Sequence, residues 1–335
     1  MGEGALRRRT GLGSKKWVAF SPVVVCAMVL VLVPFFTSTY VQTIAAKMLI
    51  FAIFAMSLDL LFGYTGLVSL GHAAYYGAAV YSVGFLTVRL GVESFWVTAP
   101  IGILMATLFA AIFGVIALRV SGIYFMLVTF ALGELLFHVV WVWRSVTGGS
   151  DGIVNIPPPD LGVSWIEWNS GSFYYFVFAV FVVCFLLLYR IAHSPFGRVL
   201  KGIRENEQRM ESLGFNVWKC KYVSFILSGA FAGVSGVLFA YFIGGAHPSY
   251  LGIEMSGLVL FMVIVGGAGS LLGPIIGSGI ILVLQSFGSI IFPDRWPVVL
   301  GGVFILTAMY FQGGIYTHLL IFWKRVRDKV ENTAG

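Results

Sequence analysis

The stretch YVSFILSGAFAGVSGVLFAYFI, residues 222–243, runs for 22 residues without a charged side chain. About 20 apolar residues in helical form cross the hydrocarbon of a bilayer, whereas a barrel strand alternates apolar and polar positions over about ten. No alternation occurs here, so the run reads as a transmembrane helix. Trp17–Phe36 reads the same way. The whole 335-residue chain is 59% hydrophobic and 10% charged, with a mean hydropathy of +0.94. A soluble domain carries about a quarter charged residues. Lipid offers the backbone no hydrogen bonds, so spanning segments must be helices or closed barrels. The chain is therefore expected to be an all-α integral membrane protein, a polytopic bundle of about ten transmembrane helices: 17–36, 41–63, 66–88, 95–118, 121–142, 173–190, 221–243, 255–271, 274–292 and 296–311. The glycines between Gly63 and Gly77 leave open whether the chain there is a full span or a broken, re-entrant one.

The net charge of +7 is not a nucleic-acid signal. Arg7, Arg8, Arg9, Lys15 and Lys16 precede the first span. Arg190, Arg198, Lys201, Arg204, Arg209, Lys219 and Lys221 lie in one central connection, and Lys324, Arg325, Arg327 and Lys329 follow the last span. These three clusters hold 16 of the 21 Lys and Arg. With an even number of spans all three fall on one side, as the positive-inside rule requires of the cytoplasmic face. The chain then divides into a cytoplasmic tail (1–16), a membrane domain (17–318) with a cytoplasmic loop (192–220) and an outer loop (144–172), and a second cytoplasmic tail (319–335). The first apolar run, long and holding Pro34, is expected to be a retained helix rather than a cleaved leader.

The central connection, RIAHSPFGRVLKGIRENEQRMESLGFNVWKCK (190–221), mixes both charge signs between apolar spans. As helix, Val199, Ile203, Met210 and Leu213 fall on one face and Lys201, Arg204, Glu205 and Gln208 elsewhere. Asn206 interrupts the stripe, which predicts two short helical pieces with a bend near Arg204–Glu207. Gly214 is expected to close the second piece in a left-handed cap. Such a segment suits docking of a cytoplasmic partner better than lying on lipid. The outer loop carries TGGSDGIVNIPPPD (147–160), whose Gly, Asp and Pro residues specify turns. Trp141, Trp143, Trp165 and Trp168 border it, as in an interfacial aromatic belt.

Ionisable groups within the spans, Asp59, His72, Glu134 and His138, are costly in hydrocarbon and normally face a cavity or a partner. Glu134 and His138 are four apart and share a helix face. Gly229–Gly233 and Gly273–Gly277 have the spacing that lets membrane helices pack closely. GGAGSLLGP (266–274) lacks the Lys-Ser/Thr of a phosphate-binding loop. There is no metal spacing among Cys26, Cys184 and Cys220 and no catalytic set, so an enzyme is disfavoured; a stand-alone transporter or channel using Asp59, His72 and Glu134 is the competing class.

Taken together, GYTGLVSLGHAAYYG (63–77), RVSGIYFMLVTFALGE (119–134), TGGSDGI (147–153), SPFGRVLKGIRENEQRMESLGFN (194–216), SGAFAGVSGVLFA (228–240) and MVIVGGAGSLLGPIIG (262–277) resemble the LivM-type permease subunits of branched-chain amino acid ABC importers, a family that includes urea and amide permeases. The resemblance covers about residues 45–315. It implies a subunit of the bacterial plasma (inner) membrane, working with a second homologous permease, two cytoplasmic ATPase subunits and an extracytoplasmic substrate-binding protein. This chain itself then needs no cofactor, ATP and Mg²⁺ acting on the ATPases. The resemblance also implies site residues. Ile203, Arg204, Glu205, Asn206, Glu207, Met210, Leu213 and Gly214 would form the coupling segment. Within it Ile203, Met210 and Leu213 are expected to fill an ATPase groove, with Arg204, Glu205 and Glu207 at its rim. Ser69, His72, Thr129 and Glu134 are candidates for the translocation pathway. Thr147, Gly148, Gly149 and Asp151 are candidates for meeting the binding protein. Leu67 stands where many relatives carry Gln, which bears on ligand identity.

Overall fold

A computed structural model describes residues 37–162, 168–291, 296–310 and 313–318. The expected first span and both tails lie outside these residues. Among the described residues, the helices of six or more residues are α1 (Thr39–Thr65), α2 (Ala73–Gly84, continued by a π-helical turn Phe85–Arg89), α3 (Phe95–Ala117), α4 (Ile123–Val142), α5 (Ser170–His193), α6 (Pro195–Glu205), α7 (Glu207–Ser212), α8 (Val217–Ile243), α9 (Ile253–Gly266), α10 (Leu272–Ile291) and α11 (Trp296–Tyr310). Among the described residues, six helical stretches are long and apolar enough to cross a membrane.

The long antiparallel pair α1 and α8, each of 27 residues, forms the centre. Serines on α8 bond to α1 in descending order: Ser224 Oγ to Thr65 Oγ1 (3.0 Å), Ser228 Oγ to the Ser57 carbonyl (2.5 Å) and Ser235 Oγ to the Ile50 carbonyl (2.7 Å). In lipid such small polar groups let helices approach and bond across the interface. The Gly229–Gly233 pair works as its spacing predicts: a Cβ on either would overlap Ala110 or Ala106 of α3. Gly236 lies against the Tyr76 carbonyl of α2.

The region 66–88 is not one continuous span. Helix α1 stops at Gly66, whose φ of 80° forms a left-handed cap, and the next residues are not helical until Ala73. His72, at the start of α2, lies 2.9 Å from Ser57, eight residues above the end of α1 and so about 12 Å up the helix at 1.5 Å per residue. The chain thus turns at the end of α1, climbs back without helix, and resumes as the short α2. An inverted counterpart follows α8. That helix also ends in a left-handed glycine, Gly244 (φ 69°), and is followed by a non-spanning stretch before α9. The partners are exchanged in parallel: α8 packs on α2 and α3, while α1 packs on α9 and α10. The units α1–α4 and α8–α11 thus share an exchanged, antiparallel pattern of packing, the pattern of the inverted repeats found in many transporters, which place broken segments near the bilayer interior.

The two ends of the bundle differ in character. At one end the antiparallel bridge of Ile153–Val154 with Gly245–Ala246 ties the Gly- and Pro-rich loop to the segment after α8. Phe95 N–H donates to the Asp160 carbonyl (2.8 Å) at the same end. At the other end α6 and α7 run between α5 and α8, with α6 packed on the end of α1 and α7 on α6 and α8.

The charged segment, the broken helix and the loop end

Three side-chain caps divide 194–216. Ser194 Oγ accepts from Gly197 N–H (3.2 Å) to start α6, and Asn206 Oδ1 accepts from Arg209 N–H (2.9 Å) to start α7. Asn216 Oδ1 accepts from Lys219 N–H (2.9 Å) to start α8. A capping residue needs an extended backbone and a short oxygen-bearing side chain. That is why Asn206 interrupts the apolar stripe: it is the junction. The two pieces and the bend are as the spacing predicts, and Gly214 takes φ 87° directly after α7.

The faces differ from the expectation at Ile203 and Met210. Ile203 is 3% exposed and belongs to this chain's own core with Leu200, so it cannot fill a partner's groove. Met210 is half-buried because its thioether covers Gly202, holding α7 against α6. Arg204 stays exposed, as expected of a rim residue, but its guanidinium also donates to the Gly63 carbonyl of α1. Glu207 pairs with Lys221 of α8 at 2.6 Å. Helical periodicity gave the apolar stripe, but a helix lying on other helices buries that stripe within the chain. Glu205 and Glu207 are exposed as well, and Leu213 (65%), Phe215 (43%) and Trp218 (44%) form an exposed apolar patch beyond the end of α7.

Lys201 Nζ stands 4.8 Å from the Tyr64 ring centroid, a cation–π contact between α6 and the last turn of α1. Asp59, in the same part of α1, is fully buried, and its Oδ1 accepts the N–H of Gly269 (2.7 Å) from the turn after α9. Sequence singled out Asp59 only as a costly charge. Its partner is 210 residues away, and no local pattern announces it.

Of the four pathway candidates, three gather around the break. Ser69 and His72 are buried within it, and Thr129 of α4 accepts from Leu70 N–H through Oγ1 (3.3 Å). Gly71 and Gly133 make a close crossing there, where a Cβ on either would meet the opposing backbone. The His72 ring stacks on Phe54 at 5.5 Å. Glu134 is half-buried on α4, one residue beyond this crossing. Among the described residues no hydrogen bond or ion pair joins it to His138.

At the loop end, Thr147 is buried: its hydroxyl bonds the Val140 and Trp143 carbonyls (2.6 and 2.7 Å) and receives Gly149 N–H (3.2 Å). Gly148, Gly149 and Gly152 all have positive φ (79°, 64° and 70°), so Thr147–Gly149 shape the loop, and Asp151 is the exposed one of the four candidates. Pro158 and Pro159, with Trp168, Phe173 and Tyr241, line a cavity of about 230 Å³.

Residues 40–308 match the family profile described as "Branched-chain amino acid transport system / permease component". The chain belongs to this family. Family membership accounts for the polytopic helical architecture. The high-affinity branched-chain amino acid transport system permease protein LivM of Escherichia coli K12 is 30% identical over 304 residues, covering 84% of this chain and 71% of that protein. LivH of Salmonella typhimurium, also a permease protein of the high-affinity system, is 25% identical over 79% of this chain and 90% of its own length. A probable LivM of Methanocaldococcus jannaschii is 23% identical over 68% of this chain and 75% of its own. No solved structure matches the chain. The family's members here are transport permeases, which agrees with the lack of a catalytic set in the sequence.

Proposed function

We propose that the chain is a permease subunit of an ABC importer for branched-chain amino acids, forming the pathway with a second, homologous permease in the plasma membrane of a bacterium. The observation that carries this reading is the match to permease relatives along nearly the whole membrane domain. The geometry adds the docking element. Segment 194–216 is capped, short and anchored at both ends, and offers an apolar patch at one end of the bundle. It would receive a cytoplasmic ATPase subunit, with Leu213 and Phe215 in the partner's groove and Glu205 near its rim. ATP and Mg²⁺ would act on that partner. The loop end, with Asp151 exposed and Pro158–Pro159 restrained, would face a substrate-binding protein outside. A loop already held in shape loses less ordering entropy on docking. Both tails would then be cytoplasmic.

The resulting cycle is alternating access. ATPase closure displaces the segment, the helices around the breaks rearrange, and the pathway opens to the binding protein. Reconstitution tests this reading. Vesicles holding this chain, its partner permease and the ATPases should accumulate leucine, isoleucine or valine only when both ATP and the binding protein are supplied. Uptake by this chain alone, without ATPase subunits, would favour a stand-alone transporter. ATP-driven uptake of urea with no amino acid uptake would move the substrate to the amide branch of the family.

A further inference from the structure

Three elements far apart in sequence meet where the charged segment touches the bundle. Arg204, at the end of α6, donates to the Gly63 carbonyl, and its aliphatic stem lies over Gly66, the cap that ends α1. The same guanidinium borders Gly269, whose N–H donates to Asp59 Oδ1 (2.7 Å). Gly63 has to lack a side chain: a Cβ there would overlap both the Asp59 carboxylate and the Gly269 nitrogen. The other carboxylate oxygen of Asp59, Oδ2, has no hydrogen-bond partner among the described residues.

The placement of this knot matters more than its strength. Gly63 lies just before the non-helical climb that carries Ser69 and His72. Gly269 lies just after α9, the helix whose Ser256 Oγ receives the N–H of Ala73 at the start of α2 (3.0 Å). The knot therefore grips the adjoining end of each unit. A buried carboxylate is expensive within a membrane helix, and close packing alone would favour an apolar residue at position 59.

We propose that Arg204 and Asp59 form the link through which displacement of the charged segment reaches the broken helices, with Arg204 a positioning residue of the transport cycle rather than a contact to the ATPase. This rests on the ABC-importer reading. When the segment moves, Arg204 draws on the Gly63 carbonyl and on the turn at Gly269 together. The end of α1 and the end of α9 then shift as one, and the segment between Gly66 and His72 follows. The exposed patch at Leu213–Trp218 receives the force and the Arg204 side of the segment delivers it.

The test is the number of ligand molecules imported per ATP hydrolysed by the complete reconstituted transporter. Arg204→Ala should copurify with the ATPase subunits as the unaltered protein does and keep its basal hydrolysis, while the ratio falls about tenfold, within the usual span of coupling between sites. Arg204→Lys can still reach the Gly63 carbonyl and should recover most of the ratio. Asp59→Asn keeps an oxygen for Gly269 N–H but removes the carboxylate that holds this turn beside Arg204, and should lower the ratio by about fivefold or more. An unchanged ratio in Arg204→Ala overturns the inference. So does loss of the ATPase subunits from that variant, which would place Arg204 at the docking rim. If Arg204→Ala does not accumulate in the membrane, Asp59→Asn decides by the same ratio: a fall supports the link and an unaltered value overturns it. Uptake by the unaltered protein that needs no ATP is a separate result, striking at the importer reading itself.

Discussion

Leu213→Asp is expected to strip the ATPase subunits from the purified complex while leaving the permease folded. Leu213 is 65% exposed beyond the end of α7, so a carboxylate there costs the isolated chain little. In a partner's groove the side chain contributes about 1.5–3 kcal/mol by apolar burial. A buried, unpaired carboxylate adds a desolvation penalty of several kcal/mol. Since about 1.4 kcal/mol is tenfold in affinity, the ATPase yield on copurification should fall well over tenfold. Glu205→Gln, at a solvated rim, should change it little, an exposed ion pair contributing only about 0–1 kcal/mol. Copurification of the ATPases with Leu213→Asp at the unaltered yield would remove this patch from the interface.

Gly236→Leu is expected to have the largest effect on the fold. Gly236 of α8 faces the Tyr76 carbonyl and Ala79 of α2, and a Cβ there would overlap the backbone oxygen. Backbone cannot step aside as a side chain tip can, so α8 has to move off α2 and lose that packing. Overpacking of this kind costs about 1–3 kcal/mol for small additions and more for a branched side chain against main chain. The detergent-solubilised protein should melt several degrees lower and accumulate poorly. Gly257→Ala, where a Cβ meets nothing within 4 Å, should match the unaltered protein in the same melting experiment. Equal melting of Gly236→Leu would contradict the described packing of α8 on α2.

How far the fold could be read in advance follows from which forces act locally. The spans were legible because lipid enforces long apolar runs, and the run at 222–243 lies within α8 (Val217–Ile243). The two-piece charged segment was legible because capping is a local contest between side chain and backbone, which Asn206 and Gly214 settle within a few residues. The close approach at Gly229 and Gly233 was legible from spacing alone. The orientation of the segment was not. An apolar stripe on a short helix looks the same whether it faces a partner or its own bundle, and only the packed structure shows Ile203 buried and Leu213 free. The break at 66–72 was visible only as an ambiguity, since glycine permits irregular backbone without requiring it. The Asp59–Gly269 bond was invisible, because it depends on the units α1–α4 and α8–α11 meeting end to end.

The central claim is that the patch beyond α7 meets the ATPase motor, and site-directed crosslinking tests it most directly. A cysteine at position 213 and, separately, one at position 150 of the outer loop would be placed in a chain whose own cysteines are replaced by serine. Each would be exposed to a short bifunctional reagent in the assembled transporter. Crosslinking of position 213 to an ATPase subunit, changing in yield between ATP-bound and nucleotide-free states, with none from position 150, is the predicted result. An ATPase crosslink from position 150 and none from position 213 would contradict the account.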